Sequence, residues 1–332
     1  MGEFNHRFAQ PSVQSMPGFG HLPPFSDDNN KDPFSQKTDG LLVKLREANT
    51  VPKIIYTNTS AEYWRGDGSL SHISMDGRRD LEPNADSRIY LFAGTQHIDS
   101  KSLAPPGSDA ADGTMGQHFP NIIDYRPLLR AAFFNLDRWV TQNVNPPDSN
   151  HPRLNDQTAV SRDTALAKFP EIPDMSKPNS EFLWSLREID LGEAASTGVG
   201  SYPPLEGRFY PCFVSAIDVD GNELSGIKLP DISVPLATYS GWNPRHSESG
   251  APDQIIPMQG STHYLPLTEE IRKHLQDPRQ SVEKRYKSKD HYLRLVEFEV
   301  ETLVTDGYLL LEDFEFVVKS QSSKFDSLSQ QE

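Results

Sequence analysis

Two short stretches carry groups able to act together. One reads Asn58-Thr59-Ser60-Ala61-Glu62-Tyr63-Trp64, the other Gly94-Thr95-Gln96-His97. A carboxylate that accepts one imidazole N–H fixes the ring's tautomer and stabilises its protonated form. The second ring nitrogen is then free as a general base. Glu62 and His97 are the candidate pair, and whether they meet depends on the elements before them. Lys53-Ile54-Ile55-Tyr56-Thr57 and Arg88-Ile89-Tyr90-Leu91-Phe92-Ala93 are short runs with bulky residues on both faces, the pattern of buried parallel strands. About thirty residues separate them, enough for the crossover that parallel neighbours require. In an open parallel sheet, functional groups collect past the carboxyl ends of the strands. Each candidate lies about four residues past its run, so contact at about 2.6–3.2 Å is expected. Spacing alone does not exclude the plainer reading, a structural hydrogen bond between neighbouring loops.

Other candidates are weaker. Asp218-Val219-Asp220-Gly221-Asn222-Glu223 has the beginnings of a calcium loop, but Glu223 stands where glycine is needed and Leu229 where the bidentate glutamate belongs. A hairpin turn is the better reading. Lys284-Arg285-Tyr286-Lys287 reads as a solvated basic face, and Cys212 as a buried thiol in an apolar strand. His72, His97 and His118 stand singly, and no histidine pair has metal-ligand spacing. No glycine loop could cradle phosphate. Trp64, Trp139, Trp184, Tyr239 and Trp242 line either a pocket or, more plainly, the core.

The composition narrows the function classes. The 332 residues include 32 Lys plus Arg against 47 Asp plus Glu, a net charge of −15. Such a chain repels phosphate backbones and anionic lipid, which argues against nucleic-acid and membrane partners. The single cysteine excludes an intramolecular disulfide. No run approaches 18 apolar residues, and the first residues lack a charged and then apolar leader, so neither a membrane span nor a signal peptide is read in the chain as given. The compartment is left open. With 27 prolines, long irregular loops are expected.

Residues 1–37 show no periodicity and read as irregular. Thr38 is placed as the cap of a helix through Leu41, Leu42, Leu45 and Ala48, ended by Asn49. After the first strand, Ser60 to about Ile73 supplies part of the crossover. Asp76-Gly77 makes a tight turn. Tyr125, Leu128, Leu129, Ala132, Phe133, Leu136, Trp139 and Val140 trace an amphipathic helix with Pro127 in its first turn. Residues 144–205 read as an irregular connector. Alternation over Phe209–Val219, then Asp220-Gly221, predicts a β-hairpin continuing into Glu223–Leu229. Tyr292, Val296, Val300 and Leu303 sit at helical spacing with Gly307 as the residue after the cap, and a last short helix is expected near Leu311–Val318.

Several blocks resemble a largely uncharacterised family of α/β-hydrolase domain proteins. They are Phe4-Asn5-His6-Arg7-Phe8-Ala9-Gln10-Pro11, Pro52-Lys53-Ile54-Ile55-Tyr56-Thr57-Asn58, Glu62-Tyr63-Trp64, Phe92-Ala93-Gly94-Thr95-Gln96-His97 and Asp124-Tyr125-Arg126-Pro127-Leu128-Leu129. Further on, Asp220-Gly221-Asn222-Glu223, Gly226-Ile227-Lys228-Leu229-Pro230, Pro235-Leu236-Ala237-Thr238-Tyr239 and Gly241-Trp242-Asn243 extend the likeness over nearly the whole chain. The resemblance implies the C-terminal portion of an α/β-hydrolase sheet, parallel strands with flanking helices, in residues 1–143. A proline-rich extension with a β-hairpin and terminal helices, packed as a cap, would occupy 144–332. In the family's order of nucleophile, acid and base, it implies that Glu62 is the acid after the penultimate strand and His97 the base after the last. It places His6 and Arg7 after a central strand, near a small-molecule ester substrate, with Trp64 as a further substrate-side residue. No cofactor is implied.

The departure from the family is equally specific. Its nucleophile elbow is G-x-S-x-G, and none of the 21 glycines opens that motif. The nucleophilic serine and its half of the sheet are therefore expected to lie outside this chain, leaving an open sheet edge at Lys53–Thr57 that residues 1–37 partly cover. Alone, the chain is expected to be inactive. The alternative is a non-catalytic remnant or interaction module. A third reading has a separate polypeptide supplying the N-terminal half across the open edge.

Overall fold

The structure, a computed structural model, describes residues 22–82, 84–97, 115–201, 203–256 and 258–329. Two strands position the candidate pair: β3 (Ile54–Thr59) and β4 (Ser87–Phe92). They run parallel and in register from Ile54 opposite Ser87 to Thr59 opposite Phe92, so both end on the same edge. Their crossover contains a helix at Ser60–Arg65, closed by Gly66 at φ +100, and a single 3₁₀ turn at Ser69–Ser71.

The strands differ in depth. In β4, Leu91 faces one apolar cluster with Tyr63, Trp64 and Trp242. Tyr90 and Phe92 face the opposite one, with Leu128, Ala132 and Val300. That strand is buried on both faces, as its run of bulky residues predicts. β3 is only half-buried and Thr57 is exposed, a correction to its reading as a second buried strand. The reason lies in its neighbours. The far edge of β4 is closed by backbone bonds to Asn150 and Ile227 (Leu91 N to Asn150 O 2.9 Å; Ile227 N to Leu91 O 2.7 Å). Among the described residues, no strand pairs with the far edge of β3. The Tyr56 hydroxyl there donates to Asp27 at 2.6 Å, so the N-terminal segment covers part of that flank.

That segment is not irregular throughout. Asp32 accepts from the Phe34 and Ser35 backbone and from the Ser35 hydroxyl, closing a turn between β1 (Asn30–Lys31) and β2 (Thr38–Asp39). Thr38 is therefore in a strand, not a helix cap. The helix starts later, at Val43–Glu47, and buries only the Leu42 that precedes it. Asn49 does take the left-handed conformation, at φ +54.

The helix Arg126–Gln142 carries Pro127 in its first turn, as expected. It buries Leu128, Ala131, Ala132 and Trp139 but leaves Phe133 and Val140 at 78% and 65% exposure. The apolar stripe is wider than the surface that covers it. The connector 144–205 also holds more order than its prolines suggest. β5 (Ala159–Ser161) pairs antiparallel with β8 (Phe213–Ser215), and β6 (Arg187–Asp190) with β7 (Leu205–Phe209). The predicted hairpin is a turn with little strand: Gly221 sits at φ +85, and Ile217 bridges Glu223 before the chain leaves to meet β4. Cys212 precedes β8 and is not part of the strand. The basic cluster is not simply solvated, since Tyr286 is buried and Arg285 pairs with Asp220.

At the C-terminus, helix Lys289–Thr305 buries Tyr292, Val296, Val300 and Leu303, the four predicted positions, and Gly307 follows at φ +79. The last helix, Phe314–Ser329, is longer than expected. Gln321, bonded to Tyr292 and Asp231, interrupts its apolar spacing, and beyond it Phe325 and Leu328 return to the core.

Candidate active site

Glu62 and His97 meet. Because β3 and β4 end level, the helix after one and the turn after the other rise side by side, and His97 Nδ1 hydrogen-bonds Glu62 Oε1. Glu62 serves twice. It is the third residue of its helix, and its Oε2 accepts from the Thr59 backbone N–H at 2.6 Å and the Thr59 hydroxyl at 2.5 Å. Thr-x-x-Glu is a capping-box signature, so the bond that starts the helix also aims the carboxylate.

His97 is held by its backbone. Its N–H donates to Met258 O at 3.1 Å, and its carbonyl accepts from the Tyr125 hydroxyl at 2.5 Å. Gly94 lies in the turn at φ +67, and a side chain there would run into Ile232 Cδ1. Asn121 Nδ2 donates to Gly94 O at 2.6 Å, and Gly260 N–H to Gln96 Oε1 at 3.0 Å. The imidazole is about half exposed, while Glu62 is largely covered. Among the described residues, none hydrogen-bonds its Nε2.

The electrostatics separate this histidine from the others. Its bond to Glu62 raises the His97 pKa, against burial that lowers it. Burial disfavours the charged form of Glu62, but bonds from His97 and Thr59 outweigh it and lower its pKa. Burial instead lowers His72, His118, His151 and His263, which pack in pairs, His72 against His151 and His118 edge-on to His263.

Trp64 is not at the surface beside His97. It is 3% exposed and packs edge-on to Trp242 at 5.8 Å, in the core. His6 and Arg7 lie outside the described residues. Cys212 is close to Tyr63 O, and burial pushes its thiol up. Sequence reasoning missed Thr59, although the Thr-x-x-Glu pattern signals it. It missed Tyr125 as an anchor of His97. It also missed Glu223, considered only as a misfit in a calcium loop. Glu223 is buried beneath the pair, with its Oε2 accepting from the Ser60 hydroxyl at 2.6 Å and the Gly94 N–H at 2.8 Å. No local pattern marks it, since both partners are distant in sequence.

A carboxylate and an imidazole joined past the carboxyl ends of parallel strands define an α/β protein with an acid–base pair at its sheet edge. Residues 16–319 match the alpha/beta hydrolase domain family, and the chain belongs to that family, which points to hydrolase-type function. No curated protein and no solved structure matches the chain.

Proposed function

We propose that this chain carries the acid–base part of a carboxylic ester hydrolase. Glu62 orients His97, and the attacking serine comes from outside the chain. The contact of Glu62 with His97 Nδ1 carries the reading. The proton is kept on Nδ1, so Nε2 takes the serine hydroxyl proton as the serine oxygen bonds to the ester carbonyl carbon. Glu62 stabilises the imidazolium. His97 then gives that proton to the departing alkoxide, and a water molecule repeats the cycle to release the acid. The lack of any G-x-S-x-G supports an external serine. Residues 1–143 would carry the site and 144–332 pack on it.

The test uses a chromogenic short-chain ester. The purified chain should show no turnover above its His97→Ala variant. Turnover that His97→Ala abolishes overturns the external serine. If the reading frame upstream of codon 1 encodes an in-frame G-x-S-x-G, the longer chain should hydrolyse the ester and lose at least ~10³-fold in kcat with His97→Ala. An unchanged rate in that variant overturns the whole reading.

A further inference from the structure

We infer that Glu223 is the positioning residue that holds Glu62 against His97, its Oε2 tying Ser60, first in the helix that carries Glu62, to Gly94, in the turn that carries His97. The inference deepens the proposed site and rests on that pair. Parallel strands fix where β3 and β4 end, but not the approach of the two segments leaving them. One oxygen shared between both sets that approach.

Glu223 is itself fixed from elsewhere. It follows the Asp218–Asn222 turn, bridges Ile217, and its neighbour Asn222 is bonded to Ala237 O at 3.1 Å and accepts from Tyr239 N at 2.9 Å. The strand Ala237–Ser240 thus supports the clamp. The residue is 5% exposed, and its Oε1 has no partner among the described residues. An acid kept in the core with one oxygen unsatisfied is costly, and an apolar side chain of that size would fill the space without that cost. What an apolar side chain lacks is an acceptor for both bonds. Burial pushes the carboxyl up to about 7, opposed by the bonds from Ser60 and Gly94. Either protonation state leaves Oε2 able to accept both.

The test reads the His97 titration in the full chain by ¹H–¹³C NMR, with the resonance assigned from His97→Gln. Among the described residues, the charged groups that act on His97 are Glu62, Arg65 and Asp67. Wild type should titrate above ~6.5, the ordinary histidine value. Glu223→Gln, which keeps the acceptor and loses the charge, should leave the midpoint where it is. Glu223→Leu should lower it by about 1 unit, towards the ordinary value. Ser60→Ala, which frees only the helix arm, should lower it by less and covers the case where Glu223→Leu does not fold. A folded Glu223→Leu, or failing that Ser60→Ala, with the wild-type midpoint overturns the clamp. Glu62→Gln is the separate control. If it lowers the midpoint while Glu223→Leu does not, only the clamp is overturned; if it leaves the midpoint unchanged, the pair and everything resting on it is overturned.

Discussion

At the scale of single residues, the site couples three acids and bases whose protonation bears on stability. The raised pKa of His97 means that its contribution is complete below its ordinary value of 6.5 and is lost as pH rises through its folded value. The lowered pKa of Glu62 gives the opposite limit: its contribution is present above 4.5 and is lost as pH falls through its folded value. The ion pair therefore counts most between those two values. A His97→Gln variant should show its largest loss in Tm at pH 5 to 6 and a smaller one at pH 9, measured by thermal melting across that range. Glu223 adds a slope of its own. Its carboxyl rises from 4.5 to about 7, so its contribution holds at acid pH and is lost as pH climbs through 7. That shift is on the order of 3 kcal/mol. Urea midpoints at pH 5 and pH 8 should draw together in Glu223→Gln, because the neutral amide has no charge to bury.

At the scale of elements, the turn that presents His97 is the most demanding. Gly94 combines a positive φ with a packed neighbour, Ile232. Gly94→Ala is expected to destabilise by about 2 kcal/mol or more in chemical denaturation, from backbone strain and overpacking together. Replacing Thr59 by Ala should cost about 1 kcal/mol, the usual value of a lost cap. These elements also show what sequence can reveal. The parallel strands were legible from bulky residues on both faces, and the Arg126 and Lys289 helices from apolar spacing; that spacing marks all the buried side chains of the second helix but overstates the covered stripe of the first, where Phe133 and Val140 stay exposed. The Asn30–Asp39 hairpin was not, since an Asp32 side chain closes it and its strands are two residues long. Nor was the second half of the last helix, where the buried polar Gln321 stands between the core residues Val317 and Leu328 and breaks the apolar spacing. Glu62 and His97 were legible because each follows its own strand at short range. Glu223 was not, because it approaches from a segment more than a hundred residues further along.

At the scale of the whole molecule, one apolar cluster crosses position 143. Tyr90, Phe92 and Leu128 pack with Ile227, Leu236, Val296 and Val300. Cutting the chain after Asn143 uncovers that face of β4 and removes the Asn150 and Ile227 backbone partners of its edge. The truncated piece is expected to lose cooperative melting, checked by circular dichroism and by amide dispersion in NMR. The two flanks of the ladder also differ in what they admit. With β4 sealed by Asn150 and Ile227, the flank left without a pairing strand among the described residues is Ile54–Thr59, and a strand arriving from outside would dock there. It would then lie one strand spacing from the acid's strand and two, roughly 10 Å, from the base's. Whatever chemistry such a newcomer brought would enter from the side of Glu62 and would have to reach over that residue to find the imidazole.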